Sequence, residues 1–376
     1  MIKVLHIQET IGSGGVERRR LSLAKYLDSS KYELKIICTK TEGNIADEIR
    51  SNGVEVITIG LLNTPFDFSQ HRKVLKIIDD FKPHIIHGAV FEGVTMAAIN
   101  GFLKQVPIVI IEETSDPQNR TWKGHLLMKF FSIISDKVIG VSPAATEYLS
   151  HKLGISKSRV KLINNGITIP RMVQVSEQLE LKKTLAIYPD EIVIGSVGRM
   201  LMDSHKRFSD LINAFAIVLK KGINAKLILV GEGPERLKYE QQVQNLEITD
   251  KVVFVGYQPD VTKYYSIFDV FTLVSAYEAF GLVLAEAMLN KLPIVATRVG
   301  GMKYIVEDNK TGFLVEKYNV HEIANKLELL CNDINLRKIF GENGYERAMK
   351  NYTEERYVKD IENLYLELIK QKKLKI

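Results

Sequence analysis

Two carboxylates eight residues apart, Glu278 and Glu286, stand with Gly281 in the stretch SAYEAFGLVLAEAM at residues 275–288. The rest of that stretch reads as an apolar helix, and a carboxylate in apolar surroundings needs a partner. Vicinal hydroxyls of a sugar are natural partners, because a carboxylate accepts two hydrogen bonds from a diol. A purely local alternative exists: Ser275 and Glu278 match the capping box S-x-x-E, a helix start. That alternative covers Glu278 alone. It leaves unexplained Gly281, costly in a first helical turn unless something approaches the backbone closely, and Glu286. A second group is cationic. In GRMLMDSHKRF, Arg199 and Lys206 flank a short loop, with Arg207 next to the lysine. Two cations at a sheet edge suit a diphosphate leaving group, whose bridging oxygen gathers charge as its bond breaks. Glycines complete the set. Gly12, Gly14 and Gly15 in TIGSGGVERRR, and Gly300 and Gly301 in RVGGMKYIV, can expose backbone amides to an anion or a sugar. In VGEGPE, Pro234 falls near a first helical position.

Other phosphate chemistries are disfavoured by the same residues. The dinucleotide fingerprint G-x-G-x-x-G fails, since Glu17 stands at the third glycine's place and CTK ends the second strand without an acid. No G-x-x-x-x-G-K-[ST] occurs, which excludes a P-loop hydrolase, and no strand-flanked D-x-D offers a metal site. Cys38 and Cys331 have no partner at metal or redox spacing and read as small buried hydrophobes in a reducing compartment.

These loops need elements to hold them. KVLHIQ, ELKIIC, VEVITI, HIIHGA, PIVIIE, DKVIGV and VKLINN form one series of strands. EIVIGSVG, AKLILVG, KVVFVG, DVFTLV, LPIVAT and TGFLV form a second. Apolar strands separated by helical patterns imply parallel sheets covered on both faces, so the fold class is α/β with two doubly wound domains. Ligands of such sheets bind outside the carboxyl ends of the strands. The polar stretch NNGITIPRMVQVSEQLE reads as a turn and an extended connection, placing a boundary near Ile169. The expected division is 1–168, a first doubly wound domain; 169–351, a second; and 352–376, an amphipathic helix returning to the first domain.

At 376 residues, 45% hydrophobic and 26% charged, the composition is that of a globular chain of two or three domains. LLMKFFSIISDKVIGV, its most apolar long window, is interrupted by Lys129 and Asp136 and is too short to span a bilayer. The net charge of +6 is modest, and its excess lies in VERRRLSLAKYL and the tail QKKLKI. Two readings stay open for it: a solvated face, or attraction to an anionic membrane or a phosphate-bearing acceptor. Nucleic acid is not supported.

Together these segments resemble the retaining, nucleotide-sugar-dependent glycosyltransferases of family four, glycosyl transferases group 1. The resemblance is carried by the E-x7-E pattern in SAYEAFGLVLAEA, by IGSGGVERRRLSLAKYL, PHIIHG, SDKVIGVS, VKLINNGI and HKRFSDLINAF, and by PIVATRVGGMKYIVEDNKTGFLV, and it covers nearly the whole chain. It implies the GT-B fold, two Rossmann-like domains facing each other across a cleft, with 1–168 binding the acceptor and 169–351 the nucleotide-sugar donor. It further implies that Glu278, Ala279, Phe280 and Gly281 meet the donor sugar or its phosphate, that Glu286 holds the ribose, and that Arg199 and Lys206 bind the pyrophosphate. Gly14 and Gly15 face the phosphates or the acceptor, and His87 matches a position near the reacting centre. Many relatives carry a histidine at the end of the fifth strand, where this chain has Glu112 and Glu113. The acceptor is expected around Phe91, Glu92, Glu113 and the stretch from Asp116 to Trp122.

The expected reaction is retaining transfer from a nucleoside diphosphate sugar, a UDP-sugar on family frequency. The acceptor is expected to be a glycan or lipid-linked glycan of bacterial surface polysaccharide assembly, in the cytoplasm or at the inner face of the plasma membrane. The β-phosphate takes the acceptor proton, with no metal and no cofactor beyond the nucleotide-sugar co-substrate. Catalytic residues are then Glu278, Arg199, Lys206 and His87, Glu278 acting either in positioning or as a nucleophile. Two rivals stay open: an epimerase or hydrolase of the same fold, and a non-catalytic nucleotide-sugar-binding protein.

Overall fold

The computed structural model describes residues 1–12, 14–114 and 120–374. The chain divides into two compact units, Met1–Gly166 together with Thr353–Ile376, and Ile167–Tyr352.

The first unit holds strands β1 (Ile2–Ile11), β2 (Tyr32–Thr41), β3 (Glu55–Thr58), β4 (Ile85–Gly88), β5 (Ile108–Glu113), β6 (Lys137–Gly140) and β7 (Val160–Leu162). They pair in parallel in the order β3-β2-β1-β4-β5-β6-β7. Side chains alternate across a strand, so each run serves two cores. Val4, Ile36, Ile85, Ile108 and Ile110 pack with Ile361, Leu364 and Leu368 of the helix Glu354–Gln371. Leu5, Ile7, Ile37 and Ile86 face the other way, against Val74, Ile78 and Met96.

The second unit holds β8 (Ile192–Val197), β9 (Ala225–Val230), β10 (Val252–Gly256), β11 (Val270–Leu273), β12 (Ile294–Thr297) and β13 (Gly312–Val315). The order is β10-β9-β8-β11-β12-β13, again all parallel. One face packs on Phe208, Leu211 and Phe215 of the helix Phe208–Lys220 and on Ile323 and Leu327 of the helix Val320–Asn332. In each sheet the order reverses beside the first strand of the unit, between β1 and β4 and between β8 and β11. At such a point the crossover helices leave on opposite faces and the loops part, opening a crevice.

The helix after Pro234 begins at Arg236, two residues beyond it. Two local expectations are corrected. The connection read as extended contains a helix, Val175–Thr184, with no buried residue; without an apolar face it leaves no periodic signal. The basic run VERRR is not a solvated face: Arg19 and Arg20 are buried, Arg20 completely.

Candidate functional site

In the second unit the site is built by the loops after β8, β9, β11 and β12. Beyond β8 the backbone is clamped by the loop after β9. Gly198 N donates to Val230 O at 3.0 Å, Met200 N to Glu232 O at 2.8 Å, and Glu235 N to Met200 O at 3.1 Å. Gly231 and Gly233 permit this approach, because a methyl at either would overlap the Gly198 or Met200 carbonyl. Between those contacts Arg199 extends into solvent, and among the described residues no carboxylate pairs with it.

Lys206 ends a single turn, Asp203–Lys206, and Arg207 closes it at φ 53°, in the left-handed region. Asp203 organises the turn by accepting from Ser209 N at 3.2 Å, Ser209 Oγ at 2.5 Å and Tyr239 OH at 2.9 Å. Burial alone would push its carboxyl up; the Ser209 and Tyr239 hydrogen bonds outweigh that and hold it below the usual range. Arg207 does not reach the site in place of the lysine. Its guanidinium grips Asp210 at 2.7 and 2.8 Å and Asp203 at 3.1 Å.

After β11, Ala276 N donates to His205 O at 2.7 Å, which binds this loop to the Lys206 turn. The result is a close pair: Lys206 Nζ lies 2.6 Å from Glu278 Oε2, both side chains about one-quarter exposed or less. The capping-box alternative is overturned here. The helix starts at Leu282, its N-cap is Gly281 at φ 96°, and Ser275 is seven residues upstream of the first helical position. Only glycine adopts that φ without strain. Glu278 instead uses its carbonyl to accept from Gly301 N at 2.9 Å. Gly301 sits so tightly on the Ala279–Phe280 backbone that a methyl there would overlap the Ala279 carbonyl. The Phe280 side chain is buried, edge-on to Tyr352, so residues 279–281 can offer ligands only their backbone.

Glu286 is half-buried on the same helix, and Oε2 accepts from Tyr265 OH at 2.8 Å. Tyr265 was not singled out in the sequence; it lies 21 residues away on a different turn, where no short-range pattern links the two. Arg199, Lys206, Glu278, Ala279, Phe280 and Gly281 thus belong to loops at the carboxyl edge of β8 and β11, the two strands that flank the reversal, and Glu286 to the helix that follows.

In the first unit Gly14 is the N-cap of the helix Gly15–Tyr26, following β1, and Phe91 and Glu92 open the helix Val90–Leu103, following β4. These also flank a reversal. Burial, with Glu9 nearby, pushes the Glu92 carboxyl up. Glu113 is buried and held in a two-pronged pair by Arg120 at 2.6 and 2.9 Å. Of the expected acceptor stretch, residues 116–119 lie outside the described residues.

His87 does not stand at an open strand end. It lies within β4, fully enclosed, and belongs to a closed circuit of buried groups. Arg20 Nη1 meets His6 Nδ1 at 2.5 Å; His6 Nε2 meets Tyr365 OH at 2.8 Å; that hydroxyl meets His87 Nδ1 at 2.9 Å. His87 Nε2 approaches Glu112 Oε1 at 2.8 Å, off-axis for a hydrogen bond, and Glu112 takes both oxygens back to Arg20 Nη2 at 3.0 Å. Since arginine only donates, His6 must accept at Nδ1 and donate from Nε2. Tyr365 then donates to His87 Nδ1, leaving the His87 proton on Nε2, toward Glu112. Burial, the neighbouring imidazole and Arg20 keep His6 neutral by pushing it well below its usual value; burial, against the pull of Glu112, lowers His87 as well. Burial would raise Glu112, but Arg20 and His87 prevail and hold it at about 2. The parity of three neighbouring strands could have revealed this: His6, His87 and Glu112 share a face with Val4, Ile85 and Ile110.

Two doubly wound parallel sheets in one chain, each with its glycine-rich and charged loops beside the reversal of strand order, define the GT-B class. The chain belongs to the family-four glycosyltransferases: the family described as Glycosyl transferases group 1 matches residues 177–347, and Glycosyltransferase Family 4 matches residues 13–171. Among curated relatives it is 31% identical over 247 residues to the N-acetyl-alpha-D-glucosaminyl L-malate synthase of Bacillus anthracis, covering 66% of this chain and 64% of that protein. It is 29% identical over 322 residues to the capsular polysaccharide biosynthesis glycosyltransferase CapM of Staphylococcus aureus, covering 81% and 83%. Thus it spans slightly less than two thirds of the first relative's length. The fold matches that of Anabaena HepE, crystallised with UDP, with a TM-score of 0.86 at 20% identity over 98% of this chain and 100% of the other. A further structure of that protein holds UDP-glucose. Among the described residues, no helix is long and apolar enough to cross a membrane.

Proposed function

We propose that this glycosyltransferase moves a sugar, with retention, from a UDP-sugar to a glycan or lipid-linked glycan of surface polysaccharide assembly. The observation that carries the reading is the 2.6 Å pair of Lys206 and Glu278 beside the left-handed Gly281, with Glu286 on the helix it caps. A diphosphate competes with Glu278 for Lys206 and recruits the exposed Arg199, so charge developing on the leaving group meets fixed cations without a metal. The freed Glu278 then faces the sugar hydroxyls, the amides near Gly281 meet sugar or phosphate, and Glu286 turns from Tyr265 to share itself with a ribose diol. The acceptor hydroxyl attacks from the face the nucleotide leaves, and its proton passes to the departing β-phosphate. His87, enclosed as it is, acts only by positioning. Gly14, Gly15, Phe91 and Glu92 would approach the acceptor or the phosphates. The uridine and polysaccharide assignments draw on the ligand in HepE and the name of CapM. Peripheral membrane association belongs to this reading.

The test is thermal stabilisation by UDP, GDP and ADP of the wild type and of Glu286→Ala. A ligand at about a hundred times its Kd adds roughly 2.7 kcal/mol. UDP is expected to stabilise the wild type and to lose most of that effect in the variant. Stabilisation by none of the three would move the non-catalytic reading to the front, and donor consumption without added acceptor would favour the epimerase or hydrolase.

A further inference from the structure

The turn after β13, residues 316–319, carries a bulky side chain on a backbone that does not favour it. Tyr318 has φ 67°, in the left-handed region, where an aromatic residue is strained unless its surroundings hold it. The turn itself accounts for the backbone: Asn319 N donates to Glu316 O at 3.3 Å, and Asn319 then caps the helix Val320–Asn332. Glycine would meet that need without strain, so the turn leaves the ring unexplained. Burial does not explain it either, since Tyr318 is 50% exposed.

The contacts of the ring lead to the donor site. The helices Phe208–Lys220 and Val320–Asn332 pack on the same face of the second sheet, so the turns that start them lie side by side. The Arg207 guanidinium, which grips Asp203 and Asp210, lies 5.0 Å from the centre of the Tyr318 ring. Lys317 Nζ stands 5.4 Å from that ring and 5.1 Å from the ring of Tyr277. Tyr277 in turn meets His205 edge-on, with ring centres 5.9 Å apart. Cations at such distances are attracted to ring faces. His205 and Arg207 are the two neighbours of Lys206, and Tyr277 precedes Glu278. One run of contacts, through Arg207, Tyr318, Lys317, Tyr277 and His205, therefore joins both neighbours of the lysine to the neighbour of the carboxylate.

We propose that Tyr318, assisted by Lys317, is a positioning residue that holds the Lys206 turn against the Glu278 loop, so that the lysine is fixed before a nucleoside diphosphate reaches it. It acts through Arg207 and Tyr277. The inference rests on the donor-site reading of Lys206 and Glu278, but its first test uses no ligand.

Tyr318→Gly removes the ring and suits the backbone, so its melting temperature is expected to hold; Tyr318→Phe keeps the ring and its cation contacts. Hydrogen exchange of the ligand-free protein, followed by mass spectrometry, reads the two loops, with Ala276 N, the donor to His205 O, as the amide to watch. Residues 203–207 and 275–281 are expected to exchange about three- to fivefold faster in Tyr318→Gly, the scale of one exposed cation–π contact. The helix Val320–Asn332 should be unchanged, and Tyr318→Phe should match the wild type. UDP is expected to bind about three- to fivefold more weakly to Tyr318→Gly, as strongly as ever to Tyr318→Phe, and no more weakly to Lys206→Met when the glycine is added. Three results would overturn the proposal: wild-type exchange in both loops of Tyr318→Gly; faster exchange confined to the helix Val320–Asn332; or a UDP loss that persists in full on the Lys206→Met background, which would make Tyr318 a direct contact. UDP binding to none of these proteins would sink the donor-site reading, and the exchange comparison would still decide whether Tyr318 holds the two loops.

Discussion

Lys206 is paired with Glu278, so under the proposed function a diphosphate reaches the lysine's charge only by exchange. Two substitutions separate the roles. Lys206→Met keeps the aliphatic stem and removes the cation; kcat is expected to fall about 10²- to 10³-fold, as for the loss of one donor to a developing oxyanion. Glu278→Gln removes the competing charge. UDP is expected to bind at least as tightly, with the deficit appearing in kcat, read by separating kcat from KM. A nucleophilic Glu278 would instead leave no transfer at all in the amide variant. In the sequence Gly281 and Glu286 stand out because each breaks a local rule: a glycine at a helix start, a carboxylate in an apolar run. Their partners do not. Tyr265 meets Glu286 only because two turns distant in sequence share an edge of the sheet, and Arg199 differs from Arg207 only in how the chain folds around two aspartates.

Each of the thirteen strands among the described residues overlaps a run that the sequence displays, though β1, β2 and β5 extend beyond theirs, because most are buried on both faces and such a strand must be continuously apolar. What escaped notice was an element without a buried face, Val175–Thr184, and a helix start that imitated a capping box. The returning helix Glu354–Gln371 is amphipathic on paper, yet its most consequential residue is polar. Tyr365→Phe deletes one hydroxyl and leaves His6 Nε2 and His87 Nδ1 unpartnered; a loss of about 3 kcal/mol in urea denaturation is expected. The groups facing the two imidazoles, Arg20 from the first helix, Glu112 from β5 and Tyr365 from the returning helix, also set a pH dependence. Both histidines are depressed in the fold and titrate near 6.5 when unfolded, so the unfolded chain binds the extra protons. Stability is therefore full above about 6.5 and falls as pH drops below it. Glu112, depressed to about 2, adds a second loss that sets in as pH falls through the ordinary carboxylate value and continues down to about 2. Melting temperatures measured from pH 8 to pH 4 should decline from about 6.5 downward; a flat profile to about 4.5 would contradict the neutral-histidine circuit.

The whole molecule is one unit interrupted by another. The second unit is continuous from Ile167 to Tyr352, and its two ends are joined by Ile167 N donating to Tyr352 O at 2.6 Å. Gly166 marks the crossing, where a methyl would press within 2.6 Å of the Thr353 carbonyl and 2.7 Å of Tyr357 Cβ. A fragment of residues 167–352 is expected to fold cooperatively alone and to keep the UDP-induced rise in melting temperature, since its sheet and core are complete within it. An unfolded fragment by circular dichroism would show that it depends on the first unit. The same join has a consequence on the ribosome. Synthesis delivers the interrupting unit entire while the earlier one still awaits the helix that begins past Thr353. Until that helix emerges, His6, His87 and Glu112 lie open on one side of a half-covered sheet. A nascent chain stalled there carries a finished second unit beside an unfinished first one whose apolar sheet face is still exposed.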